Sequence, residues 1–134
     1  MWKQRIAGFV VAAALTFGPL LASGHYMYPD AMTAEQIRTT IIGNTMTGAL
    51  ADGTVYTEYY DPDGTIRGTD SVNGPYAGRW SIRADDVMCW AYAPDYAIIG
   101  CVLLTIDGDT VNFQQIGGHT EPPAKLMTGN PSNL

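Results

Sequence analysis

Residues 54–70 read TVYTEYYDPDGTIRGTD and hold the clearest signal for the fold. The first seven residues are β-branched or aromatic apart from Glu58, and Asp63-Gly64 is a dipeptide typical of tight hairpin turns. Because side chains alternate across a strand, Tyr56, Glu58 and Tyr60 share one face. The stretch therefore predicts two antiparallel strands joined by a short turn.

Similar turn dipeptides occur at Asp52-Gly53, Asn73-Gly74 and Asp107-Gly108. The stretches between the turns are rich in β-forming residues: Thr54–Tyr60, Thr65–Asp70, Tyr76–Arg83, Val87–Tyr92, Ala97–Ile106 and Thr110–Ile116. Short connections favour antiparallel neighbours. The sequence thus predicts a mainly β domain, an antiparallel meander of about six strands that forms a small barrel or a strongly bent sheet.

One short N-terminal helix is predicted over Thr33–Ile42. Thr33 and Gln36 form a capping box, and Gly43 is placed to end the helix. A helix this short needs the sheet to pack against. Residues 117–134 are dominated by Gly, Pro, Thr and Asn, which predicts a loosely ordered C-terminal arm.

The N-terminus has the three parts of a secretory signal peptide. Lys3 and Arg5 precede an apolar run, and Ala22-Ser23-Gly24 offers small residues for cleavage before His25. The alternative, a membrane anchor, needs a run of about 20 apolar residues, which is longer than this one. We therefore predict a signal peptide over residues 1–24 and a single secreted β domain over residues 25–134, in the periplasm or outside the cell.

The two cysteines, Cys89 and Cys101, both lie in the predicted exported part. An even number of cysteines in an oxidising compartment indicates a disulfide. Each lies six residues from Asp95. In a hairpin centred at Asp95 the two cysteines would therefore face each other across the ladder.

Charge narrows the class of partner. The chain carries a formal charge of −6, and cleavage that removes Lys3 and Arg5 would leave −8. A net-acidic domain has no electrostatic attraction to nucleic acid or to an anionic membrane surface. The partner expected is a small molecule or a secreted protein, with no nucleic acid and no membrane after signal cleavage.

No sequence motif for catalysis is found: the chain has no GxSxG, no phosphate-binding loop and no HExxH. We predict no cofactor and no catalytic residue. His25 and His119 are the only histidines and the only weak candidates for a copper site; two exposed histidines are strongly favoured over that site, so no metal is predicted.

Aromatic residues are concentrated on the predicted strands. Most would fill the core, but some can line a cavity or a contact surface. Tyr56, Tyr60, Trp90 and Tyr92 are the candidates for a ligand or partner surface. Trp80 is predicted to face inward, and Trp90 is placed on the outer face.

Gly78-Arg79-Trp80 resembles the Gly-x-Trp step of calycin barrels such as lipocalins. More broadly, Ile41-Ile42-Gly43-Asn44-Thr45, Tyr59-Tyr60-Asp61-Pro62-Asp63-Gly64-Thr65, the two cysteines, Asp107-Gly108-Asp109 and Gly129-Asn130-Pro131 resemble a family of small secreted proteobacterial proteins of unknown function. The resemblance implies export and the β fold, and it assigns no catalytic or binding residue.

The function predicted is that of a secreted, non-catalytic binding domain, with a small apolar molecule held in a barrel mouth. One alternative is a protein-binding module, such as an inhibitor of a secreted hydrolase. The other is a small periplasmic enzyme, for which convergent polar groups in a cleft would speak.

Overall fold

A computed structural model of the chain describes residues 28–115 and 120–134. The predicted signal peptide and both histidines, His25 and His119, lie outside the described residues. The helix is α1 (Ala34–Thr40). The strands are β1 (Thr45–Ala49), β2 (Val55–Tyr60), β3 (Thr65–Asp70), β4 (Gly74–Ile82), β5 (Met88–Tyr92), β6 (Ile98–Asp107), β7 (Thr110–Gln115) and β8 (Thr120–Met127).

The strands form a closed antiparallel barrel in which each strand pairs with its neighbours in the chain and β8 pairs with β1. The prediction of a mainly antiparallel β fold with one short helix is confirmed. The prediction of about six strands is wrong, because β1 and β8 were not expected. These two strands pair with each other and complete the wall, so the barrel is closed rather than a bent open sheet.

The structure also corrects the predicted C-terminal arm over residues 117–134. Residues 120–127 form β8, and the chain after it is held by hydrogen bonds. The Thr45 hydroxyl donates to the carbonyl of Gly129 at 2.7 Å, and the Gly129 amide donates to Asn44 Oδ1 at 2.8 Å. Asn130 bonds Leu134 through both its amide nitrogen and its amide oxygen.

Helix α1 begins at the predicted capping box, since the side chains of Thr33 and Gln36 each bond the other's backbone amide. The amide of Ala34 also donates to Asp86 Oδ1 at 2.6 Å, which ties the start of the helix to the β4–β5 turn. After the helix, Gly43 has φ +83° and donates its amide to the carbonyl of Tyr60. The helix is thus fixed across the barrel end where β2 finishes.

The main core lies between this helix and the inner face of the barrel. Its fully buried side chains include Ile37 and Ile41 from the helix, with Met46, Ile66, Met88, Val102, Leu104 and Val111 from the strands. We call this the closed end. A second, smaller hydrophobic cluster lies on the outer face of the barrel, where Ala31 and Tyr28 cover Val87, Cys89 and Leu103.

Cys89 and Cys101 are directly opposite on β5 and β6 and are joined by a disulfide, as the sequence predicted. The hairpin pairing shifts register between Trp90 and Ala91. Cys89 is only 2% exposed, because the N-terminal segment covers it. Within the described residues no helix is long and apolar enough to cross a membrane.

Candidate functional site: an open cavity in the barrel

The barrel end opposite the helix holds a cavity of about 430 Å³ that is open to solvent. We call this the open end. Its walls come from strand ends and turns that are far apart in sequence: Ala49, Leu50, Tyr56, Glu58, Tyr60, Asp70, Asn73, Tyr76, Trp90, Tyr92, Ile99, Gly100, Phe113, Glu121 and Pro122. Six of these fifteen residues are aromatic, so the wall is mostly apolar with a small number of polar groups.

Three glycines on the inner face explain how the aromatic rings fit. Gly48, Gly68 and Gly78 lie directly opposite Tyr56, Tyr76 and Tyr92 on neighbouring strands. A Cβ at Gly48 would lie 2.9 Å from the Tyr56 hydroxyl, and one at Gly78 would lie 2.7 Å from the Tyr92 ring. Each ring therefore rests on a neighbouring strand where a side chain is missing.

The polar centre of the cavity is the carboxylate of Glu58, which is 5% exposed. Tyr60 donates its hydroxyl to Oε2 at 2.5 Å. Tyr76 and Tyr92 donate theirs to Oε1 at 2.8 and 2.6 Å. Hydrogen bonds this short to a carboxylate are among the strong ones in proteins. We call these four residues the Glu58 cluster.

Burial, and next the negative charge of Glu58, raise the pKa of the hydroxyls in this cluster. The pKa of Tyr60 lies well above its ordinary value, and the pKa values of Tyr76 and Tyr92 are raised in the same way. The pKa of Tyr56 is raised by burial and then by the charges of Glu58 and Glu121. The four phenols therefore keep their protons well beyond neutral pH.

Asp70 lies nearer the opening. Its carboxylate accepts hydrogen bonds from the backbone amides of Asn73 and Val72 at 2.6 and 2.8 Å. These two bonds, from Asn73 first, lower the pKa of Asp70. Asp70 is therefore ionised at neutral pH and adds a second negative charge at the cavity wall.

Trp90 corrects one prediction. The sequence predicts an outward-facing ring, but Trp90 packs against the main core and lines the cavity. Its ring meets that of Phe113 edge to face, with the ring centroids 5.9 Å apart. The alternation along β5 runs the other way because Cys89 is the outward residue. The indole N–H of Trp90 is buried and bonds no acceptor within residues 28–115 and 120–134.

Trp80, predicted to face inward, does so in part. It is half-buried, packs against the main core and donates its indole N–H to the carbonyl of Asp61 at 2.8 Å. It lies directly opposite Trp90 on the β4–β5 ladder. Trp80 is thus a wall residue fixed to the β2–β3 turn rather than a central core residue.

The four predicted surface residues, Tyr56, Tyr60, Trp90 and Tyr92, all line the cavity. Whether they contact a ligand remains a prediction. Sequence reasoning missed Glu58 and Tyr76 as members of the site. A signal for Glu58 was present, since it is the one charged residue between Tyr56 and Tyr60 on their face of β2.

The described residues offer no site for a metal ion. In the part of the chain that the structure describes, no group of three or more His, Cys, Asp or Glu is arranged to hold a metal ion. His25 and His119 fall outside that part. Comparison with known proteins gives no match, either to a protein-family model or to a curated sequence.

Proposed function

We propose that the protein is a secreted binding protein that holds a small, mainly apolar molecule in the open cavity of its barrel. The observation that carries this proposal is the cavity itself. Its volume of about 430 Å³ lies in the range of small-molecule sites, which are typically about 300–1,000 Å³. Aromatic walls with a few convergent polar groups are also typical of such sites.

The polar groups support a ligand with one polar end. The Glu58 cluster places a carboxylate and three hydroxyl oxygens together in the cavity, and the remaining wall is largely aromatic. The indole N–H of Trp90, which has no acceptor among the residues that the structure describes, adds a donor that a bound molecule can satisfy. A buried donor without a partner costs about 1–3 kcal/mol, which binding would recover.

Export is part of the same proposal. The Cys89–Cys101 disulfide fits a protein outside the cytoplasm, because thiols are kept reduced inside it. A signal peptide over residues 1–24 and a periplasmic or extracellular location remain proposals. So does the likeness to calycins and to small secreted proteobacterial proteins. We propose no enzymatic activity.

Nile red, a neutral dye that fluoresces in apolar surroundings, tests the proposal. The oxidised protein is titrated beside Gly100→Phe, which points a ring into the cavity. A Cβ at Gly100 would lie 3.7 Å from Trp90, an ordinary contact, so a side chain can begin at this position without a clash. We expect saturable dye binding by the wild type and loss of binding in Gly100→Phe.

Ala77→Phe is the matched control, because Ala77 is exposed on the outside of β4. It adds the same ring without filling the cavity and should bind the dye as the wild type does. The proposal fails if the wild type does not bind the dye, or if Gly100→Phe binds it equally well.

A protein-binding role is the second candidate, and one observation favours it. The large hydrophobic residues exposed within the described residues all lie in or next to the turns at the open end: Leu50, Val55, Val72, Ile98 and Ile99. We call these five residues the rim. Exposed apolar patches of this kind mark contact surfaces on soluble proteins.

Pull-down of secreted proteins from the native host separates the two candidates. A protein binder would retain a stoichiometric partner that Ile99→Lys releases, while Gly100→Phe would still hold it. A small-molecule carrier would retain no such partner and would lose its ligand in Gly100→Phe.

A further inference from the structure

Hydrogen-bond directions in the Glu58 cluster limit what a ligand can offer. A tyrosine hydroxyl has one proton. Tyr60, Tyr76 and Tyr92 each donate theirs to Glu58. The carboxylate has only acceptor atoms, and the oxygens of Tyr76 and Tyr92 have only lone pairs left for the cavity. The cluster therefore presents acceptors, and its complement is a hydrogen-bond donor.

Among the residues that the structure describes, the charged ones lining the cavity all have the same sign. Glu58, Asp70 and Glu121 line it, and no Lys or Arg is among the described lining residues. The five described cations are exposed elsewhere: Arg38 in the last turn of α1, Arg67 at Asp61, Arg83 at Asp85, Lys125 at Asp109, and Arg79 over the ring of Tyr96. An anionic ligand would meet the like charges of Glu58 and Asp70, with no Lys or Arg among the described lining residues to offset them, which costs several kcal/mol.

The aromatic residues add attraction for a cation. The faces of Tyr and Trp rings carry partial negative charge and bind ammonium groups placed over them. Tyr56, Tyr76, Tyr92 and Trp90 surround the same space as the Glu58 carboxylate. The indole N–H of Trp90 is a neutral donor and adds no positive charge to the described wall.

We infer that the cavity takes an amphipathic amine, whose ammonium group binds at the Glu58 carboxylate while its apolar body fills the aromatic space towards the rim. The inference rests on the proposed binding function and names the ligand class for that same cavity. Alkylamines carry a positive charge at pH 7, as lysine does.

Three probes with one alkyl chain test this class: n-octylamine, octan-1-ol and octanoate. The affinity of each probe is measured by how well it displaces Nile red from the oxidised wild-type protein at pH 7. We expect octylamine to bind about 10- to 100-fold more tightly than octan-1-ol, which is the factor that one charge-assisted hydrogen bond provides. Octanoate should bind most weakly.

Glu58→Gln removes the charge with little change in shape, and it should reduce the preference for the amine over the alcohol to near unity. Glu35→Gln is the matched control, since Glu35 is exposed on α1 at the closed end. It makes the same change in net charge and should keep the preference. If Glu58→Gln does not fold, the order of the three probes on the wild type still decides.

The outcomes separate the inference from the function on which it rests. If neither Nile red nor any probe binds, the proposed function itself is wrong. If the dye and octan-1-ol bind but the amine is not preferred, the function stands and the inference is overturned. Tighter binding of octanoate overturns it too, as does an amine preference that persists in Glu58→Gln.

Discussion

The two ends of the barrel are built from the same strands, yet one is filled and the other is open. At the closed end the inward side chains are Met46, Met88 and Leu104, and the helix adds Ile37 and Ile41, all of them fully buried. At the open end the inward positions hold tyrosines opposite glycines around Glu58. The two ends therefore differ in their inward side chains and not in the backbone of the strands.

This contrast separates stability from binding. Interlocking aliphatic side chains stabilise the fold through burial, and any loss of volume there leaves a hole. Tyrosines that lie over glycines leave the centre of the barrel free, and their hydroxyls hold one carboxylate in place. We therefore expect substitutions at the closed end to change the free energy of unfolding, and those at the open end to change mainly what the protein binds.

Ile37→Ala should have the largest effect on stability. Ile37 is fully buried between α1 and the barrel, and truncating a buried isoleucine costs about 2–5 kcal/mol. Urea unfolding of the oxidised protein measures this cost. Ile98→Ala is the matched control, because Ile98 is 65% exposed at the rim, and it should change the free energy by less than about 0.5 kcal/mol. Equal effects of the two substitutions would contradict the division between the ends.

The helix and the hairpins of this fold were predictable because their signals are local. The capping box at Thr33 and the dipeptide Asp63-Gly64 lie within a few residues of what they specify. The pairing of Cys89 with Cys101 followed from simple symmetry about Asp95.

The closing strands were not predictable, because nothing local marks them. β1 reads TMTGA and has few strong β formers, while β8 contains Pro122 and Pro123, which lack the amide that a ladder needs. The prolines are tolerated because the β7–β8 register shifts between Val111 and Phe113, beside them. Each of these segments pairs with its neighbour in the chain and also with the other, far away in the sequence, and it is this pairing rather than local propensity that makes them strands.

For the site, alternation along β2 correctly placed Tyr56 and Tyr60 on one face. Alternation alone does not settle β5, because it separates Cys89 from Trp90 without saying which of the two faces the inside of the barrel. Glu58 and Tyr76 became visible as partners only once β2 and β4 were brought to either side of β3. Contacts between strands that are not neighbours depend on the register of the ladders, here Glu58 and Tyr76 both opposite Gly68, which the sequence pattern did not specify.

Alkaline pH should destabilise the protein through the open end. Below about pH 10 the folded and unfolded states both keep the tyrosine protons, so stability is unaffected. Above it, unfolded tyrosines ionise, while burial and then the charge of Glu58 hold the pKa of Tyr60 and Tyr92 higher in the fold. Each such group lowers stability by about 1.4 kcal/mol per pH unit, so this pair lowers it by roughly 2–3 kcal/mol per pH unit.

Urea unfolding at a series of pH values from neutral to strongly alkaline measures that slope. Tyr92→Phe should make it shallower by about one proton, since one of the retained protons is gone. A stability that stays flat above pH 10 would show that the hydroxyls of the Glu58 cluster ionise as freely in the fold as in the unfolded chain.

Tyr92→Phe should also cost stability at neutral pH, by about 1.5–3 kcal/mol at most, because it removes one hydrogen bond to a charged group. The loss is limited because Glu58 keeps the hydroxyls of Tyr60 and Tyr76. Tyr59→Phe serves as the control, since Tyr59 faces outward on β2 and donates to no carboxylate of the cluster. Thermal melts that rank Tyr59→Phe as the more damaging substitution would contradict the role of the Glu58 cluster.

The smallest effect on stability is expected at the rim. Val72→Ser removes an apolar side chain that is 72% exposed in the β3–β4 turn, and such surface changes usually stay within about 0.5 kcal/mol. The property that should change is retention on a hydrophobic-interaction column: the variant should elute earlier, because the rim exposes less apolar surface. A matching change at the exposed Thr39 of α1, Thr39→Val, should delay elution slightly without altering the melt. If Val72→Ser instead lowered the melting temperature by several degrees, the turn would be packing against structure, and the rim would belong to the fold rather than to the surface that a ligand or partner meets.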